Sequence, residues 1–115
     1  MGYRSKVIIG VKEGRLSDEF DGILKKHDFP VDKPDGYYLK IGEKDGMKTY
    51  IFDDIKWYDF DDWCKEIMDW LHEKWGKNLT MPDVFCVALG EEGETHSEIG
   101  DYYDFIILHH DITLN

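Results

Sequence analysis

The chain has 115 residues, a length that fits one domain (1–115) with a core of its own. Hydrophobic residues at 42% and aromatics at 15% exclude a disordered chain. With 14 basic and 25 acidic residues, the formal net charge is -11, which disfavours direct binding to nucleic acid or to an anionic membrane surface. The same imbalance keeps a small protein soluble and favours a basic partner through charge complementarity.

Residues 6–12 read as the first strand, with Val7, Ile9 and Val11 on one face. Ile8 on the other face predicts a central strand that is covered on both sides. Ser17 predicts a helix N-cap, followed by Asp18 and Glu19 in a first turn that suits the helix dipole. Phe20, Ile23, Leu24 and His27 continue as one apolar face, and the helix stops before Pro30. A loop from Asp28 to Gly36 leads into a strand that alternates Tyr37, Leu39 and Ile41 with Tyr38 and Lys40.

Asp45-Gly46 predicts a hairpin turn, with a return strand from Met47 toward Trp57. The Asp53-Asp54 pair inside that strand marks a bulge or bend. Asp59, Asp61 and Asp62 then open a second helix, whose stripe is Phe60, Trp63, Cys64, Ile67, Met68, Leu71 and Trp75. Trp70 lies at the edge of the stripe, and Gly76 is the expected stop. Val84 to Leu89 predicts a buried strand, Gly90 to Glu94 a turn, and Thr95 to Ile99 a short return strand. Tyr103 to Leu108 predicts a last strand that extends toward Thr113. The order β-α-β-β-α-β-β predicts an α+β fold with two helices on one face of an antiparallel or mixed sheet, ferredoxin-like in the broad sense.

The sequence holds no catalytic constellation. Cys64 and Cys86 fall in apolar patterns without the spacing of paired metal ligands, so neither a zinc site nor a disulfide framework is expected. Ser5 and Ser97 lack an elbow motif, and Gly90-Glu91-Glu92-Gly93 places carboxylates where a phosphate loop needs none. Asp53, Asp54, Asp59, Asp61 and Asp62 could hold a divalent cation, but three of them already serve a helix N-terminus. Glu91, Glu92, Glu94, Glu98, Asp101 and Asp104 surround His96 with no base or nucleophile fixed by spacing. In a strand, His109 and His110 face opposite ways, so they are poor ligands for a single ion. No metal and no cofactor is therefore expected.

The aromatics are the better candidates for contact. Tyr and Trp anchor interfaces, and adjacent pairs such as Tyr37/Tyr38 and Tyr102/Tyr103 must split across a sheet. The expected contact surface is Trp57, Tyr58, Glu91, Glu92, Tyr102 and Tyr103, on a sheet face that the helices leave open. The apolar run Val7 to Val11 is too short for a signal peptide or a membrane span, so a cytoplasmic protein with reduced cysteines is expected. An edge strand could also pair two copies as a homodimer.

The opening Met1-Gly2-Tyr3-Arg4-Ser5-Lys6-Val7 resembles the start of small tailed-bacteriophage and prophage proteins, which often begin Met-Gly-Tyr-Arg-Ser-Asp-Val. The likeness continues in Ile55-Lys56-Trp57-Tyr58, Leu89-Gly90-Glu91-Glu92 and Tyr103-Asp104-Phe105. Lys6 departs from the usual Asp. The resemblance implies a phage accessory protein and carries over no catalytic residue. With it, the sequence leads to the expectation of a non-enzymatic protein that binds a host or defence component. The alternatives are an acidic DNA mimic and a metal-dependent hydrolase.

Overall fold

A computed structural model describes residues 5–29, 39–44, 46–55, 62–74, 83–90, 95–99, 106–108 and 112–114. The elements are β1 (Ser5–Lys12), α1 (Arg15–Lys26), β2 (Leu39–Lys44), β3 (Met47–Ile55), α2 (Asp62–Lys74), β4 (Val84–Gly90), β5 (Thr95–Ile99), β6 (Ile106–Leu108) and β7 (Ile112–Leu114). The main sheet has five strands in the order β2-β3-β1-β4-β5. Every neighbouring pair in it is antiparallel. The first four strands and two helices follow the split β-α-β arrangement of a ferredoxin-like fold, and β5 widens the sheet beyond β4.

β1 occupies the middle because it is the strand with apolar side chains on both faces. Val7, Ile9 and Val11 face the helices and join Phe20 and Leu24 of α1, Cys64, Ile67 and Leu71 of α2, and Val84, Cys86 and Ala88 of β4. Ile8 belongs to a second cluster with Met47, Phe85, Val87 and Leu89. Ile8 and Ile9 are both fully buried, so both faces of the strand are closed. The two edges of β1 are hydrogen-bonded to β3 and β4, and α1 covers its Ile9 face. β7 also contacts β1. Around Ile8, Phe85 and Val87 the sheet face away from the helices is a second core.

Gly10 shows how tightly this second layer is built. It stands opposite Phe85 across the β1–β4 ladder, and an added Cβ would run into the Phe85 ring. The ring therefore lies over the glycine backbone and fills the space a side chain would take.

The Asp53-Asp54 pair does interrupt the ladder. Ser5 pairs with Ile55 while Val7 pairs with Phe52, so β3 carries one residue more than β1 across this step. The bulge changes the parity of the strand. Phe52 and Ile55, three residues apart, consequently both enter the helix-side core. Lys44 pairs with Met47, and Gly46 just before Met47 is at φ 81.

Two expectations are revised. α1 starts at Arg15 rather than after Ser17, with Gly14 as its cap. Ser17 still serves the helix end, but from inside the first turn: Gly14 N–H donates to Ser17 Oγ at 3.0 Å, and the hydroxyl donates to the Gly14 carbonyl at 2.9 Å. The expected continuous last strand is instead a pair, because β6 and β7 run antiparallel with Leu108 opposite Ile112. No helix among the described residues is long and apolar enough to cross a membrane.

α1 ends with Asp28 in the left-handed region at φ 64. Phe29 N–H donates to the Leu24 carbonyl at 2.9 Å and Asp28 N–H to the Lys25 carbonyl at 3.0 Å, the double bond of a Schellman ending. This turn aims Phe29 back at the core, where its ring meets Phe52 and Trp63, each at 5.4 Å.

Gly10→Ala is expected to destabilise the protein by about 1–3 kcal/mol, the usual cost of overpacking a closed core. Pairing it with Phe85→Leu should recover part of that loss in urea unfolding. A neutral Gly10→Ala would mean that the ring does not rest on the strand.

Candidate functional site

The two helices lie on the same face of the sheet, and the groove between them is the candidate site. Its core-side anchors are aromatic. Phe20 of α1 meets the Tyr50 ring of β3 at 4.8 Å, edge to face, and Trp70 of α2 at 5.3 Å. Phe29, Phe52 and Trp63 repeat the arrangement nearer the end of α1. Two aromatic triads thus tie α1, β3 and α2 together and fix how far apart the helices sit.

Tyr50 is buried, and its hydroxyl donates to Asp21 Oδ1 at 2.6 Å. Lys48 Nζ reaches the other carboxylate oxygen, Oδ2, at 2.6 Å and lies 5.6 Å from the Tyr50 ring centre. One carboxylate of α1 therefore satisfies two side chains of β3. Burial, and then the Asp21 carboxylate, push the Tyr50 phenol well above its ordinary value, so it stays a hydrogen-bond donor. This network clamps helix to sheet and is structural. Cys64 and Cys86 lie buried in the same helix-side core. Burial pushes the Cys86 thiol up, away from the reactive thiolate.

The groove is open, has a volume of about 380 Å³, and is lined by Ile23 of α1 with Asp62, Lys65, Glu66, Asp69, Trp70 and Glu73 of α2. Its floor is the apolar surface of Ile23 and Trp70, both packed against the core. Its wall is acidic because α2 is amphipathic. Cys64, Ile67 and Leu71 turn inward, which leaves Asp62, Glu66, Asp69 and Glu73 along another face at intervals of four, three and four residues.

Three of these carboxylates already hold cations: Glu66, Asp69 and Glu73, the last with Lys74 Nζ at 3.5 Å. Lys26 Nζ contacts both Glu66 oxygens at 3.0 and 3.1 Å, and His27 Nε2 lies 2.8 Å from Glu66 Oε1. Lys65 reaches Asp69 at 2.7 Å, with both side chains exposed. The contact with His27, followed by that with Lys26, holds the Glu66 carboxyl below its ordinary value.

Of the acidic groups singled out from sequence, Asp53 is exposed on β3 and Asp62 opens α2. Among the described residues, no three His, Cys, Asp or Glu side chains come together as metal ligands. Trp57, Tyr58, Glu91, Glu92, Tyr102 and Tyr103 lie outside the described residues, as do Asp59, Asp61, His109, His110 and Asp111. Sequence reading missed the groove itself. Asp62, Glu66, Asp69 and Glu73 read as an ordinary solvated helix face, and only the packing of Ile23 and Trp70 beneath them makes a concavity. The available signal was the regular spacing of acids beside an edge Trp.

No protein-family model, no curated protein and no solved structure matches the chain.

A lowered Glu66 pKa means that the folded state holds this proton less tightly than the unfolded chain. Its contribution to stability is present above the ordinary carboxylate value and is lost as pH falls through the lowered one. The group is solvent-accessible, so the contribution stays below about 1 kcal/mol. Urea midpoints of wild type and Glu66→Gln should differ at about pH 7 and converge at about pH 3. A difference that persists undiminished at about pH 3 would contradict the ion-pair geometry.

Proposed function

We propose that this chain acts by binding a basic protein partner and does not turn over a substrate. The observation that carries the reading is the groove between α1 and α2, which combines an apolar floor at Ile23 and Trp70 with the carboxylates Asp62, Glu66, Asp69 and Glu73. Such a surface attracts a cationic protein at long range and desolvates an apolar side chain on contact. The likeness of the opening residues to small phage proteins supports a phage accessory protein in the bacterial cytoplasm, directed at a host or defence component.

A DNA mimic would need a continuous run of unpaired carboxylates, because duplex DNA carries about one charge per 1.7 Å. Here lysines interrupt the acid on both helices: Lys26 on Glu66, Lys65 on Asp69, and Lys74 beside Glu73 and Glu19. That pattern favours a protein partner over imitation of a phosphate backbone.

Affinity capture from bacterial lysate, with wild type and Asp62→Asn/Glu73→Gln in parallel, tests the reading. A basic protein should be retained at about 0.1 M salt, released near about 0.5 M, and lost from the double variant. Retention of no specific protein, together with turnover of a small molecule, would reject it.

A further inference from the structure

We infer that the occupant of the α1–α2 groove is an amphipathic basic helix lying along α2, with Lys or Arg at i, i+4, i+7 and i+11 and one apolar anchor seated on Ile23 and Trp70. The inference rests on the binding reading above and specifies the partner's chemistry and shape.

The argument begins with spacing. Asp62, Glu66, Asp69 and Glu73 cover three helical turns, about 16 Å along the axis at 1.5 Å per residue. A second helix at a shallow crossing angle places its own residues at the same rise, so a four-three-four pattern of cations meets these carboxylates in register. An extended peptide, at about 3.3 Å per residue, would match the acids only with a different and shorter spacing.

The apolar part of the site is compact. Ile23 and Trp70 are only partly buried, yet both pack against the core, so the floor is rigid and already formed. Trp70 is held from below by Phe20 at 5.3 Å. A volume of about 380 Å³ accommodates one or two side chains and excludes a globular insertion.

The protein's own cations indicate how the acids would be used. Lys26 and Lys65 already sit on Glu66 and Asp69, and both lysines are 65% exposed on their side chains. Exposed pairs of this kind contribute little, so a partner's lysines can replace them at small cost. Glu73 likewise carries Lys74 at 3.5 Å, and Asp62 and Glu73 at the two ends are both exposed, so they are the first carboxylates an approaching cation meets.

The test uses the full chain and a synthetic fluorescent peptide of about 16 residues. The peptide carries Lys at i, i+4, i+7 and i+11 and Leu on the flank that would meet the floor. Its scrambled isomer has the same composition. Anisotropy at about 0.15 M salt should show the patterned peptide binding about tenfold more tightly than the isomer. Asp62→Asn/Glu73→Gln should weaken it about tenfold. Glu13→Gln/Asp53→Asn removes the same charge outside the groove and should change affinity less than about twofold. Perturbation of the Trp70 indole N–H by NMR would place the peptide on the floor.

Equal affinity for both peptides, or equal damage from the two double variants, would overturn the helix assignment and leave only diffuse charge attraction. If lysate capture succeeds and depends on the groove while the peptides are not distinguished, the helix inference falls and the binding reading stands. If capture also fails, both fall.

Discussion

The architecture depends on one strand being buried from both sides. β1 carries Val7, Ile9 and Val11 toward the helices and Ile8 toward the second cluster, and all four are fully buried. An isolated sheet could not satisfy that strand, since each fully buried aliphatic side chain is worth about 1.5–3 kcal/mol relative to exposure. The helices answer one face, and on the other Ile8 is buried beside Phe85, Val87 and Leu89 of β4. β1 can occupy the centre because β3 and β4 supply complete ladders on its two edges, with the bulge at Asp53-Asp54 adjusting β3 so that Phe52 and Ile55 both point inward.

That constraint bears on function. A ferredoxin-like sheet with a bare face offers a broad platform for ligands, and here the face around Ile8 and Phe85 is core. The described surface available for recognition shifts to the helix side. There the aromatic triads Phe20–Tyr50–Trp70 and Phe29–Phe52–Trp63 hold α1 and α2 at a fixed separation. The groove is thus a by-product of core packing, and its acidity follows from the outward positions of an amphipathic helix. Its rigidity comes from below, through Phe20, and its charge is displayed at the rim. Rigid apolar floors with polar rims are the usual anatomy of interfaces.

Much of this framework was legible in the residues. Alternation placed β1, and Ile8 flagged its two-sided burial. Asp45-Gly46 placed the hairpin and Asp53-Asp54 the bulge. Cys64, Ile67 and Leu71 gave the inward face of α2. What escaped had physical reasons. Ser17 looks like an N-cap by type, but a glycine can hold the cap position while the serine works from the first turn. β6 and β7 pair where one continuous strand was expected, and in the sequence only three polar residues stand between them. The groove exists only when Ile23 from one helix meets Trp70 from another, a contact no local pattern announces. The sequence-selected contact residues Trp57, Tyr58, Glu91, Glu92, Tyr102 and Tyr103 belong to segments outside the described residues, so the site assembled here rests on different side chains.

The most direct measurement compares two adjacent truncations in β1. Ile8→Ala and Ile9→Ala remove the same atoms from opposite faces of one strand. With both faces closed, each should cost about 2–5 kcal/mol in urea unfolding. A full loss for Ile9→Ala beside a change below about 0.5 kcal/mol for Ile8→Ala, the range of a surface substitution, would mean that the second face is open. The sheet, and not the helix groove, would then be the foremost surface for binding.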